Sequence, residues 1–351
     1  MKISRLIWRI RKEMHRFNRH ERRLWQKKTR LVSRFHDQYW DEVAALVGAN
    51  CEVLGGGFRR ISKGHQWTVV SDGDVMLDSR VALRMAGNKV LMYRLMADWG
   101  VSNLPGYCIC KSTVTAAATE MLRSGPVVTK PAAGTGGGRG VTTRIASTEG
   151  LRRGIAIAAK FDETVLVEEF IEANSYRLLY LDGELLDAIW RRSPTVVGNG
   201  RSTIDELVNA ENQLRESAVD LRALSFITKT KEYDNQLAHL GLARRTIPAA
   251  GDVVMVKSVV NQNNASENER VLDVIHPSIV AKCADICRRA KLRFVGVDLL
   301  AADIGRDWNE QQVYVNELNT TPGLHHHVLT ATGSDNHRVG TRLLSHLLAS
   351  Q

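Results

Sequence analysis

The sequence predicts an α+β fold built on antiparallel sheets, not a doubly wound parallel one. Residues 126–130 and 141–145 read as strands joined by a glycine-rich loop, and 176–181 with 184–190 read as a hairpin around Asp182-Gly183. Helical patterns mix with these antiparallel hairpins instead of crossing from each strand to a parallel neighbour. The loop also lacks Gly-Lys-Ser/Thr, and no helix opens directly after it, which argues against a P-loop or a dinucleotide fold.

In chain order, residues 1–47 contain neither Pro nor Gly and predict one long helix. Ile3, Ile7, Ile10, Met14, Phe17, Glu21, Leu24, Lys28, Leu31 and Phe35 keep a 4-3 spacing, a heptad stripe with polar residues at Glu21 and Lys28. Such a helix docks on its own domain or on a twin subunit of a homodimer. Alternatively, with Trp8 and Trp25, residues 1–36 lie on an anionic membrane surface or an acidic partner. Charged residues interrupt every apolar run, so this is no signal peptide, and no stretch reaches a transmembrane length. Next, 51–54 and 67–70 read as short strands separated by turns at Gly55-Gly56-Gly57 and Ser71-Asp72-Gly73-Asp74. Asp78-Ser79 caps a helix that runs to about residue 99 and carries Asn88-Lys89. A strand at 106–110, a helix at 113–123, the glycine-loop strands, a helix at 148–160 and a strand at 164–169 follow. After the 176–190 hairpin come a loop at 194–203 and helices near 204–212, 231–241 and 277–291. Strands at 252–257, 294–301 and 312–318 and a last helix at 338–349 complete the pattern.

The 351 residues suffice for one large or two to three small domains with a substantial core. The net charge of +10 suggests nucleic acid until it is located. Residues 1–36 hold thirteen Lys/Arg and two Glu, leaving 35 Lys/Arg against 36 Asp/Glu elsewhere. The basicity belongs to one appendage, which argues against a nucleic-acid-binding body. Five cysteines without zinc spacing read as reduced thiols of a cytoplasmic protein.

Chemistry-bearing residues gather in four stretches. Gly134, Gly136, Gly137, Gly138 and Gly140 offer unhindered N–H groups as an anion nest, and Lys130 before them supplies a point charge for a phosphate. A flexible surface hairpin is the plain alternative. Asp298 sits inside the apolar strand 294–301, while Glu317 and Asn319, two residues apart at a strand end, share one face. These three oxygen donors suit Mg²⁺ shared with nucleotide phosphates, or else they face water. Glu168-Glu169-Phe170-Ile171 ends a strand where a carboxylate can meet an adenine amine or solvent. His325-His326-His327, read as a strand, alternate faces and cannot all serve one metal ion, which leaves a structural or substrate-side role.

Together these residues resemble the ATP-grasp superfamily, most closely the ATP-grasp domain of cyanophycin synthetase and bifunctional glutathione synthetases. The matching motifs are Lys130-Pro131 with its loop, Val167 to Ile171, Tyr176-Arg177, the segment 192–208 with Val197-Gly198-Asn199-Gly200, 224–231, Val297-Asp298 and 315–327. The resemblance implies two α+β lobes clasping ATP and a ligase that joins a carboxylate to an amine. It implies Lys89 and Lys130 on the α/β-phosphates and Gly134, Gly136, Gly137 and Gly138 over the β/γ-phosphates. It implies Glu168, Glu169, Phe170 and Ile171 on adenine, Ser175 near the ribose, and Asp298, Glu317 and Asn319 on Mg²⁺, with Mn²⁺ as a substitute. Arg177 and Arg192 are the implied catalytic cations at the γ-phosphate or acylphosphate. Ser175 stands where the family has an acid, 261–266 lack the family's glycines, and His325 stands where relatives often carry Arg. The chain also stops soon after the ATP-grasp region, without the Mur-ligase-like domain of cyanophycin synthetase.

The expected organisation is a basic amphipathic helix at 1–48, a small β-rich region at 49–78, an ATP-grasp domain at 79–335 and a C-terminal helix at 336–351. Within the ATP-grasp domain, the nucleotide-covering lobe spans about 105–172. The expected function is ATP- and Mg²⁺-dependent amide bond formation between small-molecule or peptide carboxylate and amine substrates through an acylphosphate. Rival readings are a kinase on the same fold, and an adaptor with a vestigial ATP site that acts through its basic helix.

Overall fold

The structure, a computed structural model, describes residues 19–135, 138–217, 225–331 and 337–349. Helix α1 (Arg19–Leu46) leads into a four-stranded antiparallel meander, β1 (Asn50–Gly55), β2 (Phe58–Lys63), β3 (Gln66–Ser71) and β4 (Asp74–Val75). Gly55, Gly56 and Gly57 all take positive φ, which makes the expected turn between β1 and β2. Strand β2 is not evident from sequence because a charged residue occupies one of its inward positions. Arg59 is buried there and pairs with Asp37 at 2.9 Å and Asp41 at 2.5 Å, both on α1. The basic side chain hides the alternation that marks a strand.

Helix α1 buries His36, Tyr39, Trp40, Val43 and Ala44, a stripe at helical spacing. It therefore docks on its own chain. The heptad residues Ile3 to Phe17 and Trp8 lie outside the described residues.

The single helix expected up to residue 99 is two, α2 (Arg80–Ala86) and α3 (Lys89–Asp98). Gly87 closes the first, and Asn88 caps the second by accepting from the Leu91 N–H at 3.1 Å. The break puts Lys89 at the first turn of α3, with its own N–H donating to Ala132 O at 3.0 Å.

A four-stranded antiparallel sheet follows, in the order β5-β8-β6-β7: β5 (Tyr107–Cys110), β6 (Val127–Pro131), β7 (Thr142–Ile145) and β8 (Val165–Glu169). Helices α4 (Ala116–Ser124) and α5 (Thr148–Ala158) contribute Ala118, Leu151 and Ile155 to a core shared with Val127, Ile145 and Val167.

The central sheet has five antiparallel strands in the order β13-β10-β9-β14-β15. They are β9 (Asn174–Leu181), β10 (Glu184–Arg191), β13 (Asn268–Arg270), β14 (Phe294–Ala301) and β15 (Val313–Asn319). A small unit of β11 (Thr195–Val197), α6 (Ile204–Ser217), α7 (Lys231–His239) and β12 (Val253–Met255) has its own core around Ile204, Tyr233 and Val254. Helix α8 (Pro277–Arg289) and α3 pack on one face of the central sheet through Ile279, Cys283, Met92 and Met96. A short helical turn, α9 (His325–Val328), and a last helix, α10 (Arg338–Ala349), follow β15.

The other face of the central sheet positions the site. At one end it is apolar, with Leu179, Leu181, Leu186 and Phe294 in one core with Tyr39, Trp40 and Val43 of α1 and Leu343 and Leu347 of α10. At the other end the same face turns polar, because Arg177 and Asp298 continue the rows of Leu179 and Phe294 at strand period two. Helix α1 runs along this face, so its later turns cover the apolar end while Lys28 and Val32 reach the polar end.

Gly340 lets α10 approach α1 closely. Its N–H donates to Tyr39 Oη at 2.9 Å, and a Cβ there would lie 2.6 Å from that oxygen and from Val43 Cγ2. Gly340→Val is expected to cost about 1–3 kcal/mol in urea unfolding, by overpacking. An unchanged midpoint would mean that α1 does not sit on α10. No helix among the described residues is long and apolar enough to cross a membrane.

Candidate active site

A cavity of about 950 Å³ opens between the β5–β8 sheet and the polar end of the central sheet. Strand pairing sets its floor. Asp298 lies directly opposite Arg177 on β9 and Glu317 on β15. An irregularity in the β14–β15 register admits Asn316 as an extra residue. It moves Glu317 and Asn319 onto the face of Asp298, while Val313, Val315 and Leu318 stay in the opposite core. Carboxylates directly across from one another repel, so this pair needs cations. Arg177 supplies one as a fork, Nε to Oδ1 of Asp298 at 2.6 Å and Nη2 to Oδ2 at 2.7 Å. Lys89 supplies the other, Nζ to Glu317 Oε1 at 2.8 Å. Burial works to raise the Asp298 carboxyl, but Arg177 overrides it and holds the carboxyl below its ordinary value.

Lys130, on β6, is buried and pairs with Glu168 on β8 at 2.7 Å. Its Nζ also lies 3.4 Å from Tyr93 Oη and from Asn316 Oδ1, which ties the two sheets together through one ammonium. Glu168 Oε1 is buried with no hydrogen-bond partner among the described residues. Glu169 also borders the cavity and accepts from the Gly106 N–H at 2.9 Å. The Phe170 ring lies beneath the Arg144 guanidinium at 4.5 Å, and Ile171 and Ser175 line the cavity.

In the glycine loop, Gly134 and Gly138 have φ of +72° and +70°, where side chains are strained. A Cβ on Gly138 would lie 2.3 Å from the Asn261 amide nitrogen, so the loop tip closes against the 261–266 segment. Gly136 and Gly137 lie outside the described residues.

Arg192 lines the cavity, stacked on Trp190 at 5.3 Å and donating to Ser266 O at 2.8 Å. Its neighbour Arg191 points to the opposite face and brings Nη1 to 3.7 Å from Asp298 Oδ2. Burial first, and Arg177 beside it next, push the Arg191 guanidinium down to about 9. Arg191 pairs in register with Ser175, two residues from Arg177, which puts it on the Arg177 face of the sheet. One sequence-predicted placement differs from the structure: the three histidines form the helical turn α9 and not a strand. His325 and His326 therefore both face the cavity. His327 turns into the core, with Nδ1 3.0 Å from Asp187, which also pairs with Arg270 at 3.1 Å. That placement makes His327 structural. Lys28 on α1 and Tyr93 on α3 are further site residues that the sequence reading did not assign to the site.

The fold is that of the ATP-grasp proteins. The chain is similar to cyanophycin synthetase of Trichormus variabilis, 27% identical over 255 residues, covering 72% of this chain and 28% of that protein. It is also similar to the glutathione biosynthesis bifunctional protein of Clostridium perfringens, 28% identical over 204 residues, or 56% of this chain and 25% of that one. Among solved structures, a bifunctional glutathione synthetase from Pasteurella multocida superposes with a TM-score of 0.55 at 22% identity, over 87% of this chain and 42% of that chain. The chain thus spans about a quarter of the length of these curated relatives. No family model matches it.

Proposed function

We propose that this chain is an ATP-dependent carboxylate–amine ligase that forms an amide or peptide bond through an acylphosphate. One observation carries the reading: two buried lysines, Lys89 and Lys130, converge with the Asp298–Glu317 pair and two arginines on a single cavity. Similarity to cyanophycin synthetase and to glutathione biosynthesis proteins supports it.

The donor set fits a divalent cation of the Mg²⁺ or Mn²⁺ kind. Asp298, Glu317 and Asn319 offer oxygen ligands from neighbouring positions of two paired strands. Among the described residues no group of three or more His, Cys, Asp or Glu could hold a metal, so nucleotide phosphates would complete the shell. When bound, that ion would neutralise phosphate charge during phosphoryl transfer.

This chain's own residues then divide the work. Lys89 and Lys130 hold the phosphates, and the glycine loop covers them with its N–H groups. Glu168, with its free oxygen, and the strand end through Ile171 receive adenine. The carboxylate oxygen of the acid attacks the γ-phosphorus, the bond to the β,γ-bridging oxygen breaks, and ADP leaves. The amine nitrogen then attacks the acyl carbon, loses a proton, and inorganic phosphate departs. Arg177, already aimed at this point, stabilises the charge that builds on the transferring group.

The proposed partners are the acid and amine substrates. Helix α1 spends its apolar stripe on its own chain, which leaves exposed Arg23, Arg30 and Arg34 for a membrane surface, an acidic partner or a second copy. Five free thiols fit a cytoplasmic setting. The test is product analysis by mass spectrometry after incubation with ATP, Mg²⁺ and pooled acids and amines. Ligation gives an amide with equal ADP and phosphate. A stable phosphorylated product would instead assign a kinase, and no turnover would favour a vestigial site.

A further inference from the structure

We propose that Lys28, on the helix that crosses the cavity, recognises a second anionic group on the acid substrate, so that the preferred acids are dicarboxylates. This rests on the ligase reading above. The heptad stripe of α1 breaks at Lys28, and the structure gives the reason: Lys28 and Val32, one turn apart, line the cavity. Among the described residues no hydrogen bond or ion pair engages the Lys28 ammonium. Burial, then Arg139 and Arg191, lower its affinity for a proton.

Arg191 shares this deficit. It reaches only Asp298, at 3.7 Å, whose two oxygens are already taken by Arg177, and its Nε is buried without an acceptor among the described residues. His325 and His326 border the same space; an imidazole supplies no negative charge, and burial, which holds both well below their ordinary protonation range, keeps them neutral. Enclosed cations without an anion are unfavourable, and a ligand anion between Lys28 and Arg191 removes the imbalance.

The anion belongs to the acid and not to the nucleotide. The triphosphate has Lys89, Lys130 and the glycine loop; the charges acting most strongly on Lys28 are Arg139, near the end of that loop, and then Arg191, and neither lysine, which sets Lys28 beyond the two lysines where the loop ends. Lys28 also acts on His325, in the segment that follows β15, and lines the same cavity as Gly323 and His326. A carboxylate at Lys28 and Arg191 would leave the acid's other carboxylate free to meet the γ-phosphate.

The experiment uses the full chain with ATP, Mg²⁺ and hydroxylamine, which traps acylphosphates as hydroxamates without the natural amine being known. Glutarate and L-glutamate are compared with butyrate and L-glutamine. The wild type should prefer the acids carrying the second carboxylate. Lys28→Met should raise KM for those two acids about 10- to 100-fold, with kcat, KM for ATP and turnover of butyrate unchanged. Lys28→Arg should restore most of the loss. A uniform loss across all four acids, a fall in kcat or a shift in KM for ATP would overturn the proposal. Calorimetric titration of glutarate into protein holding a non-hydrolysable ATP analogue separates the two readings. Binding that weakens in Lys28→Met without hydroxamate in the wild type would uphold the anion site and defeat the ligase reading. Hydroxamate with unaltered glutarate binding in Lys28→Met would uphold the ligase and defeat this assignment.

Discussion

Lys130→Met is expected to reduce amine-dependent ADP release by at least about 10³-fold, the scale of losing one preorganised charge at a transferring phosphoryl group. It is also expected to destabilise the fold. Lys130 and Glu168 are both buried and lie 2.7 Å apart, so removing the lysine strands a carboxylate. Breaking such a pair costs about 3–5 kcal/mol. A second change separates the two effects. Lys130→Met with Glu168→Gln removes both charges and should recover most of the stability in urea melts while remaining inactive. Recovery of activity along with stability would reduce Lys130 to a structural role.

Asp298→Asn is the second large effect. The carboxylate neutralises Arg177 directly and faces Arg191 at 3.7 Å, so its loss leaves two buried guanidinium groups without a full countercharge. Stability should fall by about 3–5 kcal/mol at neutral pH, and turnover by at least about 10²-fold. The pH dependence has a definite sign. Arg177 outweighs burial and holds the folded-state value below the ordinary one. The stabilisation from Asp298 is therefore complete above about pH 4, near the unfolded value, and is lost as the pH falls through the lower folded value. Wild type and variant melts should converge in acid. A constant difference down to the lowest accessible pH would mean that charge is not what Asp298 contributes.

Backbone-driven features were legible in the sequence. Glycine density marked the phosphate-loop candidate, an acidic residue in an apolar strand marked Asp298, and period two put Glu317 and Asn319 on one face. What sequence did not reveal were decisions made by tertiary partners. Strand β2 was masked because Arg59 is buried by two aspartates of α1, which no local pattern announces. Arg191 and Arg192 are adjacent arginines, and only the strand register tells which one faces Asp298. The three histidines form a helical turn that seats His327 against Asp187, 140 positions away in sequence. Lys28 looked like a flaw in a heptad because the surface it meets is assembled from strands far along the chain.

The most direct measurement is a crystal structure with a non-hydrolysable ATP analogue and Mg²⁺. The account predicts phosphate oxygens at hydrogen-bond distance from Lys89 and Lys130, with a metal ion held by Asp298, Glu317 and Asn319 beside the phosphates. A nucleotide seated elsewhere, with the Lys130–Glu168 and Lys89–Glu317 pairs still closed on themselves, would contradict it.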